Sequence, residues 1–282
     1  MTETIFEITS SQNKTFKKYK SLTLKKYRDK ESLFLMEGQR YIDTALKNNI
    51  VFEAILFDEE TWNHTINQAE KLFYTHSAHV YILVASLFKE LSQTEQSQGI
   101  IGVLSLPKKE SLDQTLKKIQ DSQSADRPNT IVMLDRIQDP GNLGTIIRTA
   151  DAAGINTILL VKGTVDPYNP KVVRSTAGSI LYIDLIEVDD SIETIQTLKT
   201  YGYHVVVTAL NDAKDYNDPT SYREKNCLVI GNEANGVSDL FIQASDSRVK
   251  IPIYGQAESL NASIAAGIMM YKLQSLDRRI TD

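Results

Sequence analysis

Asp139-Pro140-Gly141-Asn142-Leu143-Gly144-Thr145-Ile146-Ile147-Arg148 comes shortly after the apolar run Ile131-Val132-Met133-Leu134. The run reads as a strand and Asp-Pro-Gly as a turn. Leu143, Ile146, Ile147 and Ala150 then recur at helical spacing, and Gly154 ends the helix. The same plan returns twice. Ile230-Gly231-Asn232-Glu233-Ala234-Asn235-Gly236 follows a second apolar run, and Ile251-Pro252-Ile253 leads into Ser259-Leu260-Asn261-Ala262-Ser263. Ligands of an open α/β sheet sit outside the carboxyl ends of its strands. Three such loops therefore predict one site built from distant pieces of chain.

Each block also has a purely structural reading. Asn142 stands where a helix N-cap would stand, and Ser259 is an acceptable N-cap with Asn261 in the first turn behind it. Glu233 fits a capping acid as well as an active-site carboxylate. Glycines in the second block allow close backbone approach or positive φ. Arg148 falls off the stripe of Leu143, Ile146, Ile147 and Ala150, so it is not there to pack. A fourth segment, from Asp166 to Gly178, carries Lys171 and Arg174 near the start of an expected helix. Cations there oppose the helix dipole, which argues that they face an anion such as phosphate.

Upstream lies a separate α/β pattern. Strand signals occur at residues 34–38, 51–57, 80–84 and 100–106, with helical stretches at 39–47 and 59–71. Alternation of this kind describes a small domain of its own, residues 1–106. A polar stretch, 107–129, reads as a linker that is helical from Leu112 to Ile119. From residue 130 to 282 runs the second domain, ending in a long helix from about Leu260 to Leu276. That helix is apolar on several sides: Leu260, Ile264, Ile268 and Tyr271 form one stripe, with alanines and methionines on others. Such a helix is central to its domain or covered by a partner subunit, which favours a homodimer.

The chain has 282 residues, 41% hydrophobic and 24% charged, with net charge −5. It is not a basic nucleic-acid binder as a whole. Locally it is: Lys14, Lys17, Lys18, Lys20, Lys25, Lys26, Arg28 and Lys30 cluster, with Tyr19 and Tyr27 interleaved. This fits either a solvated helix face or a stripe that binds phosphates. Cys227 is the single cysteine, and His64, His76, His79 and His204 lack metal-ligand spacing, so no metal site is expected. His76 and His79 would share a helix face. Neither a signal peptide nor a membrane span is visible, so a cytoplasmic protein is expected. No GxGxxG follows a strand and no GxxxxGK[ST] occurs, against a dinucleotide enzyme.

Taken together, the three blocks resemble the three motifs of the SpoU (TrmH-like) RNA ribose methyltransferases of the SPOUT superfamily, over roughly Ile131 to Leu276. The stretches from Ile8 to Asn13 and from Phe34 to Gly38 resemble the ribosomal-protein-like substrate-binding domain often fused to them. The set is specific where any one block is not. Ala234 and Ala262 replace a frequent glycine and a frequent valine. The resemblance implies a C-terminal α/β domain with a deep trefoil knot, against the general rule for chains. It further implies S-adenosyl-L-methionine as cofactor and a homodimer with the active site at its interface. By motif position Gly231, Ile251 and Leu260 contact the cofactor, with Thr208 lining the same pocket. Asn142, Arg148, Glu233, Ser259 and Asn261 carry over as catalytic residues. The substrate is then RNA and not DNA, because only RNA has the 2′-hydroxyl. Lys14, Lys17, Lys18, Lys171 and Arg174 are the expected RNA contacts. The domain pairing looks more like 23S rRNA enzymes; a tRNA enzyme, a base methyltransferase and a non-catalytic RNA-binding protein are the alternatives.

Overall fold

The computed structural model describes residues 5–64, 77–92, 94, 96–121, 130–189 and 192–277. It divides into two compact units. The first joins Met1–Lys108 to Asp166–Leu181; the second comprises Lys109–Val165 and Tyr182–Asp282.

The first unit holds strands β1 (Ile5–Ile8), β2 (Leu33–Glu37), β3 (Phe52–Asp58), β4 (Ser77–Leu83) and β5 (Ile100–Ser105) in the order β1-β4-β3-β5-β2. β1, β4 and β3 run parallel, while β5 runs antiparallel to both β3 and β2. Helices α1 (Lys14–Ser21), α2 (Lys25–Glu31), α3 (Gln39–Lys47) and α4 (Ala85–Leu91) belong to its N-terminal part, and residues 59–64 are helical as well. Asn13 caps α1 by accepting from the amides of Thr15 and Phe16. Phe16 and Tyr19 of that helix join Leu56, Leu83 and Val103 in one core. His79 lies on β4, not on a helix, and His76 lies outside the described residues. So do the tail of the helix expected over 59–71 and the last part of the polar stretch, residues 122–129.

Residues 166–181 were expected to belong with the C-terminal domain, but they pack into the first unit. Arg28, 3% exposed, pairs with Asp166, and its Nη1 also donates to the Leu22 carbonyl at 2.7 Å. Phe34 of β2 meets the ring of Tyr168 at 5.0 Å. Phosphate binding by Arg28 is thereby corrected, since its guanidinium is spent inside the fold. The helix of this segment is short, Pro170–Ser175, so Arg174 stands in its last turn and not at its start. A cation there suits the dipole, and the argument from a misplaced Arg174 fails.

The second unit opens with α5 (Leu112–Asp121) and is organised by seven parallel strands: β6 (Thr130–Asp135), β7 (Thr157–Val161), β8 (Asp184–Val188), β9 (His204–Thr208), β10 (Lys214–Asp215), β11 (Asn226–Gly231) and β12 (Ser247–Lys250). Their order is β10-β12-β9-β11-β6-β7-β8. The chain builds outward from β6 through β7 to β8, then returns to the other side of β6. That reversal opens a crevice at the carboxyl ends of β6 and β11. Every residue of β6 and β11 is buried, as central strands covered on both faces require. Helix α6 (Pro140–Ala152) follows β6, and α7 (Asp239–Ala244) follows β11. Helix α8 (Ala262–Asp277) closes the described chain.

Arg28→Ala leaves Asp166 without its main partner. Loss of one member of a buried pair costs about 3–5 kcal/mol, and the 14% exposure of Asp166 favours the lower figure. Urea unfolding should show about 3 kcal/mol of destabilisation. A change under about 1 kcal/mol would mean that the pair does not anchor the segment.

Candidate active site

The first block folds differently from its capping reading. Asp139 is the N-cap of α6: its Oδ1 accepts from the Asn142 amide at 2.8 Å, with Pro140 in the first turn. Asn142 is thus released from capping. Its Nδ2 donates to Glu233 Oε1 at 2.9 Å, and its Oδ1 accepts from Asn261 Nδ2 at 2.9 Å. Asn261, not Ser259, caps α8. Its Oδ1 accepts from the amide of Ser263 at 2.9 Å, from that residue's hydroxyl at 2.7 Å and from the Ile264 amide at 3.3 Å. Three residues 28 or more positions apart in sequence form one line of hydrogen bonds with a forced direction. The helix amides make Asn261 Oδ1 an acceptor, so its Nδ2 must donate, and Asn142 passes the donation on to a carboxylate.

Glu233 also accepts from the backbone amides of Gln138 and Asp139, each at 3.2 Å. Partial burial pushes its carboxyl pKa up. The hydrogen bonds from Asn142 and from the amides outweigh that, and hold it below the ordinary value. Nearby, Asn232 Oδ1 accepts from the amides of Ala234 and Asn235, while its Nδ2 donates to the Arg136 carbonyl at 2.8 Å. Asp135, buried at the end of β6, accepts from the Ser238 amide at 2.7 Å. The loop after β6 and the loop after β11 are strapped together along their length.

Asn232 and Asp135 carry no role in the sequence reading. Asp-Pro at 139–140 was legible as a cap followed by a proline in the first turn. Asn232, second in a run that ends at Gly236, had only the weaker signal of an Asx turn.

Beside this strap lies a cleft of about 600 Å3. It is lined by Thr208, Gly231, Ile251 and Leu260, the four residues expected there, and by Glu233 and Ser259. At Gly231 a Cβ would stand 2.1 Å from the backbone of Gly236 and Val237, so no side chain fits. The loop folds back through paired bonds between Asn232 and Gly236 at 2.9 and 3.0 Å, bringing main chain to the cleft wall. Asp212, Arg248 and Glu258 give the same wall both signs of charge.

Arg148 does not line this cleft. It is exposed on α6, while Leu143, Ile146, Ile147 and Ala150 are fully buried on the opposite face. On the adjoining α8, Ile264 is 53% exposed and Tyr271 54% exposed. Among the expected RNA contacts, Lys18 pairs with Glu31 at 3.7 Å, Lys14 and Lys17 are exposed on α1, and all five residues lie in the first unit.

A two-unit α/β protein with a parallel sheet, a glycine-walled cleft and an Asn–Asn–Glu line beside it has the architecture of the SpoU methyltransferases. The chain belongs to the SpoU rRNA methylase family, whose model matches residues 129–271. An MRM3-like substrate-binding domain matches residues 13–102. The chain is 35% identical over 95% of its length to the 23S rRNA (guanosine(2553)-2′-O)-methyltransferase RlmP of Bacillus subtilis, and covers 99% of that protein. An AdoMet-bound rRNA methyltransferase from Sinorhizobium meliloti superposes with a TM-score of 0.82 at 29% identity, over 97% of this chain and 99% of that one. The SpoU methyltransferase AviRb from Streptomyces viridochromogenes in complex with AdoMet gives 0.77 at 25% identity, over 96% and 99%.

Asn261→Asp keeps the cap on α8 but cannot donate to Asn142. Thermal stability should stay near wild type while turnover falls on the order of tenfold, the worth of one hydrogen bond of about 1–1.5 kcal/mol. Unchanged turnover would show that the line does no positioning. The Glu233 contacts are made by the carboxylate, whose pKa is depressed, so they persist at neutral pH and are lost as pH falls through a value below the ordinary 4.5. The side-chain amide NMR signal of Asn142 should titrate with a midpoint below 4.5; a higher midpoint contradicts the depressed pKa.

Proposed function

We propose that this protein transfers a methyl group from S-adenosylmethionine to a ribose 2′-hydroxyl of RNA, in large-subunit 23S rRNA. The observation that carries the reading is the meeting of Asn142, Glu233 and Asn261 at the rim of a cleft whose wall is main chain at Gly231. The fit of the cofactor rests on that cleft. Its volume suits a drug-sized ligand. Its glycine wall admits close backbone contact, and Asp212, Arg248 and Glu258 offer the opposite charges that a zwitterion with a sulfonium needs. Bound there, S-adenosylmethionine supplies a methyl group already activated by positive sulfur.

The residues then have to align the acceptor hydroxyl and assist loss of its proton. Alignment can account for about 7–11 kcal/mol of a barrier in favourable cases. Asn142, held at both ends, and Ser259 orient the ribose. Asn261 supports Asn142, and Glu233 fixes the loop that carries it. Arg148 binds the neighbouring phosphate and stabilises charge developing on the 2′-oxygen. Arginine keeps its proton in proteins, so water or a phosphate oxygen takes the one released.

Several finer statements belong to the same proposal. Two copies pair over α6 and α8, covering the exposed stripe of Leu260, Ile264 and Tyr271, and Arg148 serves the partner's cleft. That placement is supported by its exposure on α6, away from the cleft of its own chain. The segment after β12 is threaded into a trefoil knot, which fits the tight return of main chain at Gly231. Residues 1–106 form the substrate-binding domain, 107–129 the linker and 130–282 the catalytic domain, with 166–181 lent to the first unit. Lys14, Lys17, Lys18, Lys171 and Arg174 dock the RNA in the cytoplasm. Among the described residues no helix is long and apolar enough to cross a membrane.

Arg148→Ala should lower kcat on the order of a hundred- to a thousandfold, in the range of lost transition-state donors, with cofactor affinity by calorimetry unchanged. A fully active Arg148→Ala protein would remove Arg148 from the mechanism. Mass-spectrometric mapping of 2′-O-methyl nucleotides in RNA from a deletion strain tests the reaction itself. Intact ribose methylation in that strain, with a base methylation missing, would replace the proposal.

A further inference from the structure

Arg136 has no part in the activity described so far, and its conformation is unusual. Its φ is +59°, a left-handed backbone that a long side chain rarely adopts. The conformation is held from outside. The Arg136 carbonyl accepts from Asn232 Nδ2 at 2.8 Å, and the Arg136 amide donates to the Leu134 carbonyl at 3.2 Å. The side chain is held as well. Its Nε lies 2.9 Å from Oδ1 of Asp135, a carboxylate with no exposed surface, while Arg136 itself is 40% exposed. Nη2 lies 3.5 Å from the other Asp135 oxygen. The stem runs beside Gly163 in the loop after β7, where a Cβ would be 3.1 Å from Arg136 Cγ.

The plain reading is that Arg136 neutralises a buried acid. That role uses the Nε edge alone. It does not account for a side chain left 40% exposed, whose polar contacts among the described residues are those of Nε and Nη2 with Asp135. Nor does it account for an arginine at a position that glycine would occupy without strain. A guanidinium oriented on one edge by a carboxylate offers a planar pair of donors on the other, the geometry that matches a phosphate. The loop that carries it, residues 136–139, leads into the first turn of α6, which carries Asn142.

We propose that Arg136 is a substrate contact: its free guanidinium edge binds a phosphate of the RNA strand beside the target ribose, with Asp135 as the positioning residue that aims it. This rests on the reading of the protein as an RNA methyltransferase.

The test uses full-length protein, deproteinised bacterial 23S rRNA as probe and methyl-labelled S-adenosylmethionine. Arg136→Gly alone leaves Asp135 buried without a counter-charge, so the informative variant is Asp135→Asn/Arg136→Gly. It removes both charges, keeps an acceptor for the Ser238 amide and relieves the left-handed strain. Asp135→Asn alone is the control that keeps the guanidinium. The double variant should fold, bind S-adenosylmethionine as wild type does by calorimetry, and raise KM for RNA about tenfold, with the loss in KM and not in kcat. The slope of log K against log salt for RNA binding should fall by about one contact, and Arg136→Lys should restore it. Asp135→Asn should keep the wild-type salt slope. A double variant that binds cofactor and shows wild-type KM and salt slope overturns the proposal. If the wild type itself transfers no methyl to RNA, the reaction assigned above fails, while the salt slopes still decide whether Arg136 meets a phosphate.

Discussion

One carboxylate holds the second unit's site together. Glu233 collects donors from Gln138, Asp139 and Asn142, which belong to the loop after β6 and the first turn of α6, and it does so from the loop after β11. A neutral acceptor there would bind the same donors more weakly, because hydrogen bonds to charge are roughly twice as strong. The strap has further points of attachment at Asn232 and Asp135. Its effect is to make two loops, separated by more than 90 residues, one rigid piece. A cleft wall on one side and Asn142 on the other then cannot move independently.

The polarity of the line from α8 to Glu233 has a physical origin. A helix N-terminus presents unpaired amides and partial positive charge. Asn261 must meet those amides with its oxygen, so its nitrogen faces Asn142, and the sequence of donors ends on negative charge. Asparagine at both positions satisfies this. Aspartate could accept but not donate, and serine is too short to do both across the same span. The residue types at 142 and 261 are therefore set by the ends of the line.

Much of this was legible in the chain, and the misses have physical reasons. Strands β6, β7, β9 and β11 were visible because buried parallel strands are continuous apolar runs. The three strand-end blocks did converge, and Arg148 does stand off the buried stripe of α6. Asn142 and Ser259 are eligible caps by composition, but Asp139, three residues earlier, and Asn261, two residues later, hold the amides. Propensity ranks these residues alike, and only the position of the first helical turn separates them. The destination of residues 166–181 was invisible for another reason. A segment's partner across the fold leaves no periodic trace in its own sequence, and Asp166 reads as a turn residue until Arg28 is found beside it. Arg136 was hidden too, since a left-handed φ in an arginine has no signature in composition.

The excursion of residues 166–181 also orders events in time. A ribosome delivers the chain from its N-terminus, and domains as a rule fold as units in that order. Here the first unit includes a stretch that is made only after β6, α6 and β7 of the second. Until then Arg28 lacks its counter-ion Asp166, and Phe34 of β2 lacks the ring of Tyr168. The N-terminal unit therefore cannot finish while the nascent chain is still shorter than about 180 residues, and the earliest strands of the catalytic unit must leave the exit tunnel before the unit ahead of them is closed.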